Sequence, residues 1–292
     1  MKRRRKLILP WLVLVVMAGI GLAQDRTLDL GDVGRFRSAR EALTEAGGEA
    51  PIWKLDDQFP RDCFTFARLK YTVDGTHGYG HTLYRWAIDF PYSDLNFSFR
   101  LQQVTSLKVN PDGRNIALTD KELYDYPFIY IVEPGRLTFK AEEVPILRKY
   151  LLNGGFLMFD DFWGDREWSA FHEEIKKVFP ESKYEPVDLP IEHPIFHTVF
   201  DIKEKPQVPN VLQGTRSQYT GITYEYHGPG SEEVHYRGIS DDKGRLMVMI
   251  CHNTDLGDGW EMEGKNEYFF REFSEKKAYP LGINIIVYAM TH

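Results

Sequence analysis

The chain contains little cysteine and lacks several sequence motifs, which makes some kinds of chemistry improbable. Of its 292 residues only Cys63 and Cys251 are cysteines, too few for the disulfide framework of a small secreted domain. No Gly-x-Ser-x-Gly or Gly-x-Cys-x-Gly elbow is present, so covalent catalysis by serine or cysteine is not expected. No glycine-rich loop continues into Gly-Lys-Ser or Gly-Lys-Thr, so the sequence does not predict a nucleotide phosphate loop.

Beyond the first six residues the 43 acidic side chains outnumber the 31 lysines and arginines, which are the 36 of the whole chain less the five at 2–6. The formal net charge of the whole chain is −7. Residues 2–6 (KRRRK) contribute five positive charges, so the remainder of the chain carries −12. A chain of this acidity is not expected to bind nucleic acid, because nucleic-acid affinity depends on lysine and arginine contacts to phosphates.

The N-terminus has the pattern of a signal peptide. The basic residues are followed by an apolar run over 7–22, and Gly21 and Ala23 supply small side chains before Gln24. The alternative is an uncleaved anchor helix, although a spanning helix needs about 20 apolar residues. We predict a signal peptide at 1–23, an N-terminal arm at 24–61 and a single α/β domain at 62–292. The protein would then be exported, periplasmic or extracellular, with no membrane span in the mature chain.

Apolar runs alternate with amphipathic segments from residue 63 onward, the pattern of βαβ units in a parallel sheet. We expect residues 183–240, rich in proline, glycine, tyrosine and histidine, to form an irregular insertion. Ser93 or Asp94 is expected to cap a helix over 93–105. The predicted strands are 63–73, 127–132, 156–160 and 245–251, and the other predicted helices are 139–152, 165–179 and 281–289.

The segment 155–164 (GFLMFDDFWG) contains the first candidate site. An apolar strand ends here in Asp160 and Asp161, with Trp163 close behind. In open α/β sheets ligands bind beyond the carboxyl ends of the strands. Two acids there could bind a divalent metal, act as a general base or hydrogen-bond sugar hydroxyls. The alternative is structural, with one acid capping the next helix.

A second candidate group follows the strand 245–251. His252, Asn253 and Asp255 would emerge at the same edge of the sheet as Asp160. His252 could serve as a general base or acid or as a metal ligand. The Asp and Gly residues over 255–259 depart from the EF-hand spacing, so an ordinary turn is the alternative.

Several motifs occur in the order found in a bacterial protein family. They are FARLKY (66–71), YPF (126–128), LRKYL (147–151), GGFLMFDDFWG (154–164), HPIF (193–196), HN (252–253), DLGD (255–258) and YAMTH (288–292). On these motifs, residues 62–292 resemble the family called domain of unknown function 4159. The resemblance implies a flavodoxin-like or class I glutamine amidotransferase-like parallel sheet flanked by helices. The nucleophilic cysteine of amidotransferases is replaced here by Asp160-Asp161-Phe162, so their activity is not expected. Related cysteine-less domains are associated with carbohydrate utilisation.

We therefore expect a polar ligand, a carbohydrate or a cell-envelope component, to bind at the strand ends. Asp160 and Asp161 would contact it, with or without a divalent metal, and Trp163 would offer a stacking face. His252, Asn253 and Asp255 would line the opposite wall, and Arg68 would neutralise the acids. A hydrolase with Asp160 or Asp161 as base and His252 as acid is one alternative. A non-catalytic scaffold of an envelope complex is another.

Overall fold

A computed structural model describes residues 32–56, 58, 62–73 and 82–292. The predicted signal peptide at 1–23 lies outside these residues and stays a prediction. Among the described residues, no helix has the length and apolar character that a bilayer span requires.

The core of the fold is a seven-stranded sheet in the order β3-β1-β4-β6-β9-β8-β7. The five strands β3, β1, β4, β6 and β9 pair in parallel, and β8 and β7 continue the sheet antiparallel. Taken in chain order, the parallel strands have the order 2-1-3-4-5 of flavodoxin-like folds. The α/β prediction is thereby confirmed. The strands are β1 Ala67–Leu69, β2 Thr72–Val73, β3 Arg114–Ile116, β4 Phe128–Val132, β5 Leu137–Thr138, β6 Phe156–Asp160, β7 Val187–Asp188, β8 His235–Ser240 and β9 Leu246–His252.

Helices cover both faces of this sheet. One face packs against α2, α6 and α8, and the other against α3 and α4. The α-helices are α1 Ala39–Glu45, α2 Tyr92–Val104, α3 Glu143–Leu152, α4 Gly164–Val178, α5 Val211–Thr220, α6 Leu256–Glu261, α7 Glu267–Phe269 and α8 Tyr279–Thr291, with a π-helical segment at Phe270–Ala278. Short 3-10 helices occupy Val33–Arg35, Thr82–Ala87, Lys121–Asp125, Pro134–Arg136, Ser182–Tyr184 and Pro194–Phe196.

The central strands form where continuous apolar runs predict them. All five residues of β4 and of β6 and all seven of β9 are buried, as expected for strands covered on both faces. The unit β4-α3-β6 is the predicted βαβ crossover, with Phe128 paired in parallel with Phe156. The carboxyl ends of β4, β6 and β9 lie at the same edge of the sheet.

Two local predictions are wrong. The strand over 63–73 is two shorter strands, because the chain leaves the sheet after Leu69 and β2 pairs antiparallel with β5. Neither Ser93 nor Asp94 caps a helix: α2 begins at Tyr92, and its N-cap is Pro91 without a side-chain bond. Both side chains instead bond to Arg68.

The region 183–240 contains regular elements, two of which are the last strands at one edge of the sheet. It contains β7, β8 and α5. The segment 221–234 between α5 and β8 has no regular structure, and it supplies Glu225 and His227 to the strand ends.

Candidate functional site

Three neighbouring strands each end at a residue with positive φ. Glu133 follows β4 with φ 49°, Asp161 follows β6 with φ 58°, and Asn253 follows β9 with φ 59°. Residues other than glycine rarely adopt this conformation, which costs about 1–3 kcal/mol and is concentrated at functional sites. The edge where flavodoxin-like folds bind ligands is therefore also where this backbone is strained.

Asp161 lies in a group of three carboxylates contributed by separate segments. One oxygen each from Asp161, Glu225 and Asp255 lies within 4.8 Å of the others. Burial and the negative charges of Glu133 and Glu225 raise the pKa of Asp161 well above its usual value. Burial and Asp161 likewise raise the pKa of Asp255. We call Asp161, Glu225 and Asp255 the outer triad, since Asp161 and Glu225 are only partly buried.

The outer triad retains unused acceptor capacity. Asp161 Oδ1 accepts a hydrogen bond from Trp163 Nε1 at 2.9 Å. Asp255 Oδ1 accepts one from the backbone N–H of Asp258 at 2.7 Å and so caps α6. Glu225 accepts from the backbone N–H of Asn210 at 2.7 Å and, at its other oxygen, from the Nδ2 of the same residue. Because a carboxylate has about four lone-pair sites, each of the three can still accept from a ligand.

His227 is the positively charged partner of this region. Its ring lies 3.9 Å from a Glu167 oxygen and 3.8 Å from a Glu225 oxygen. The adjacent carboxylates of Glu167 and Glu225 raise the pKa of His227 to about 9. At neutral pH it is therefore protonated and offsets part of the negative charge beside the outer triad.

A second carboxylate group, Asp89, Asp258 and Glu261, lies beside the first. One oxygen from each lies within 4.8 Å of the others, and we call this group the inner triad. Burial and the charge of Asp258 raise the pKa of Asp89 well above its usual value. Burial and the charge of Asp89 raise the pKa of Glu261 to about 7. The negative charge of Asp89 also raises the pKa values of Asp161 and Asp255, so the two triads interact electrostatically. We call the acidic region that they form at the carboxyl ends of the strands the crevice, since α/β sheets bind ligands at this place.

Asp160 is buried beneath this crevice rather than facing it. Its Oδ2 accepts hydrogen bonds from Tyr130 Oη at 3.1 Å and from the backbone N–H of Gly257 at 2.9 Å. Its Oδ1 has no hydrogen-bond partner among the described residues. Burial raises the pKa of Asp160 to about 7, although the bond from Gly257 opposes the increase. Asp160 belongs to neither triad.

The expected role of Arg68 is wrong. It forms a buried salt bridge with Asp94, both side chains being 0% exposed. Its remaining N–H groups donate to Ser93 Oγ and to the carbonyls of Trp86 and Ile88. With all five donors engaged, Arg68 has none left to bond the acids at the ends of β6 and β9.

Trp163 does not offer a stacking face in this structure, because its side chain is 1% exposed. Its indole packs inward, and the Nε1 donates to Asp161. An exposed aromatic that the sequence analysis did not single out is Tyr226, which is 70% exposed and adjoins Glu225.

His252 lies on the opposite face of the sheet from Asp160. The parallel register pairs Phe159 with Ile250, and β9 places Cys251 with the Asp160 side chain while His252 packs against Phe162 and Trp168. Burial and the nearby Arg237 lower the pKa of His252 to about 3. A neutral imidazole at physiological pH cannot act as the expected general acid.

Asn253 is a structural residue here. Its Oδ1 accepts from the backbone N–H of Gly164 at 2.8 Å, and its Nδ2 donates to the carbonyls of Gly230 and Glu233. These bonds fix the ends of β9 and α4 and the segment 221–234 relative to one another. Of the predicted site residues, only Asp161 and Asp255 converge on one group of ligand atoms.

Sequence reasoning missed Asp89, Glu133 and Glu225, and it interpreted the segment with Asp258 and Glu261 as an ordinary turn without assigning either residue to the site. One available signal was Glu133, which directly follows the apolar strand PFIYIV as Asp160 follows its own. Another was the three-residue spacing of Asp258 and Glu261, which places both on one face of a helix.

The fold and this crevice define a flavodoxin-like α/β protein with an acidic site at the strand ends. Residues 65–290 match the family described as Domain of unknown function (DUF4159). Because the match covers most of the chain, the protein belongs to this family. A search of curated proteins found no match.

Proposed function

We propose that this protein binds a polar ligand rich in hydrogen-bond donors at the outer triad. A carbohydrate or another cell-envelope component is the ligand class that this site suits best. The observation that carries the proposal is the convergence of Asp161, Glu225 and Asp255, from three separate segments, on one point of the crevice.

The negative charge of the outer triad favours a ligand that carries hydrogen-bond donors over one that carries acceptors. The pKa values of Asp161 and Asp255 are raised partly because the acids repel one another. Hydroxyl or ammonium groups placed between them would relieve this repulsion, and hydrogen bonds to charged acceptors are the stronger kind. An amino sugar should therefore bind more tightly than a neutral sugar, and an acidic sugar least tightly.

Tyr226 supports a ring-shaped ligand. Its side chain is 70% exposed and it follows Glu225 directly in the chain, and an aromatic face with a polar tip suits the apolar face of a sugar ring. It would take the stacking role that Trp163, being buried, does not fill.

A hydrolase is the second candidate function. Burial raises the pKa of the partly exposed Glu133 to about 7, and a carboxyl group that titrates near neutral pH suits general acid–base chemistry. Asp161 would hold substrate or a divalent metal in this alternative, and the acid would be another carboxyl group rather than His252.

The test is thermal unfolding of the protein with glucosamine, glucose and glucuronate, beside an Asp161→Asn variant. Asparagine tolerates positive φ and can still accept the Trp163 bond, so this variant should fold. Ligand at 100 times its dissociation constant stabilises a protein by about 2.7 kcal/mol. We expect glucosamine to give the largest shift and Asp161→Asn to lose it.

Equal shifts in wild type and Asp161→Asn would contradict the proposal, as would no shift with any of the three sugars. Hydrolysis is tested separately with chromogenic glycosides: turnover that Glu133→Gln abolishes would favour the second candidate.

A further inference from the structure

The inner triad brings three carboxylates to one point with little to neutralise them. Asp258 and Glu261 lie three residues apart on α6, and Asp89 reaches them from the turn before α2. Asp258 Oδ2 accepts from the backbone N–H of Val211 at 2.6 Å. A side-chain hydrogen bond joins Asp258 and Glu261, and the charges of Arg68 and Lys265 act on Glu261. None of these groups, however, bonds the buried Oδ2 of Asp89.

The carboxylate of Asp89 is buried, and one of its oxygens lacks a hydrogen-bond partner in the part of the chain that the structure describes. Its side chain is 9% exposed, and its Oδ2 is buried without a hydrogen-bond partner among the described residues. This oxygen lies against Gly257, where an added Cβ would come within 2.2 Å of it. A buried acceptor left unpaired costs about 1–3 kcal/mol, and more when charged. Such a group in a native protein calls for an explanation, and an ion is one.

No arginine supplies the missing partner. Arg68 is close enough to lower the pKa of Asp89 through space. Its five N–H groups, however, are committed to Asp94, to Ser93 and to two backbone carbonyls. Asp89 itself adopts a φ of 64°, a backbone conformation that is strained for a residue other than glycine.

A hard divalent cation fits these ligand atoms. Ca²⁺ binds oxygen ligands at about 2.3–2.6 Å, so oxygens on opposite sides of the ion lie about 5 Å apart. The three carboxylate oxygens fall within 4.8 Å of one another. Glu261 is only partly buried, which leaves space for water to complete the coordination. Carboxylates without histidine or cysteine favour Ca²⁺ or Mg²⁺ over softer metals.

We propose that Asp89, Asp258 and Glu261 form a binding site for a hard divalent cation. The site is separate from the outer triad and does not rest on the proposed binding of a polar ligand. A cation there would pair the isolated Asp89 oxygen and hold α6 against the turn that precedes α2.

The test is calorimetric titration of Ca²⁺, Mg²⁺ and Mn²⁺ into metal-free protein. We expect at least one of them to bind the wild type. Asp89→Asn and Glu261→Gln should each weaken that binding at least about tenfold, because each removes a charged ligand. Glu272→Gln, which alters an exposed ion pair with Lys276, is the matched control and should bind like wild type.

The melting temperature of the metal-free variants distinguishes an acid that binds the cation from an acid that stabilises the fold. We expect metal-free Asp89→Asn and Glu261→Gln to melt at or above the wild-type temperature, because each removes an uncompensated charge. A structural role predicts a lower melting temperature instead.

Three results would overturn the proposal: no binding of any of the three cations, a large loss of stability in metal-free Asp89→Asn, or binding lost in Asp161→Asn but kept in Glu261→Gln. The last would place the cation at the outer triad. Sugar titrations have no bearing on these outcomes, so this proposal and the proposed function can fail independently.

Discussion

Two buried aspartates five positions apart, Asp89 and Asp94, have opposite surroundings. Asp94 is 0% exposed and accepts three hydrogen bonds from the buried Arg68. Asp89 is 9% exposed, and its Oδ2 has no partner among the described residues. Burial of a charge is tolerated when it is paired, as at Asp94. An unpaired buried acid such as Asp89 reduces stability, which indicates that it is kept for a reason other than stability.

The largest expected effect is at the paired aspartate. Asp94→Ala would leave the Arg68 guanidinium buried without its counter-charge, and breaking a buried pair in this way costs about 3–5 kcal/mol. Urea unfolding measures the loss. The double change Arg68→Met with Asp94→Leu should recover most of it. A loss below about 1 kcal/mol in Asp94→Ala would show that the pair matters little.

The acids at the strand ends should make stability depend on pH in a specific direction. Asp160 has a pKa of about 7 when folded and 3.8 as its ordinary value. Between these values the folded state holds a proton that the unfolded state has lost, so stability falls as pH rises from 4 to 7. The slope from one such group is on the order of 1 kcal/mol per pH unit.

Asp160→Asn isolates this contribution. The difference in unfolding free energy between wild type and variant should change across pH 4–7 when both are measured in metal-free buffer. A difference between wild type and Asp160→Asn that stays constant with pH would mean that Asp160 titrates normally.

Replacing the unpaired Asp89 with asparagine should not lower the free energy of unfolding, whereas the same change at Asp94 should lower it. Asp89→Asn removes a repelled charge and keeps a residue that tolerates positive φ. We expect its free energy of unfolding, measured without metal at pH 7, to equal the wild-type value or exceed it by about 1 kcal/mol. Asp94→Asn under the same conditions should be clearly destabilised. Similar losses in both variants would remove the contrast between the two aspartates.

A second pH-dependent effect concerns the other face of the sheet. His252 has a folded pKa of about 3 against an ordinary 6.5, so the unfolded state gains a proton first as pH falls. Its contribution to stability is therefore lost as pH falls from 6.5 toward 3, the reverse of Asp160. His252→Phe should flatten this part of the profile. NMR titration of the His252 ring tests the cause directly, and a midpoint near 6.5 would refute it.

Strands buried on both faces could be predicted from the sequence, because continuous apolar runs such as FLMFD and LMVMIC leave few alternatives. Their carboxyl ends, and hence Asp161 and Asp255, followed from the fold class. The first strand was predicted too long, since its aromatic pattern continues past Leu69, where tertiary pairing moves the chain onto β5.

The partners at the site could not be predicted in the same way. Arg68 and Asp94 are 26 positions apart, and their contact depends on how α2 packs. Asp89, Glu225 and Glu261 meet the strand ends only through tertiary folding. The opposite orientations of Asp160 and His252 follow from the β6–β9 register, which the sequence alone does not specify.

An anomalous difference map from a crystal of this protein soaked in Mn²⁺ would test most directly whether the unpaired acids are held for a ligand. We expect a peak about 2–2.6 Å from the carboxylate oxygens of Asp89, Asp258 and Glu261, and no peak there in crystals of Glu261→Gln. A wild-type map without a peak between these three side chains would contradict the cation site and leave the strain at Asp89 without a functional explanation.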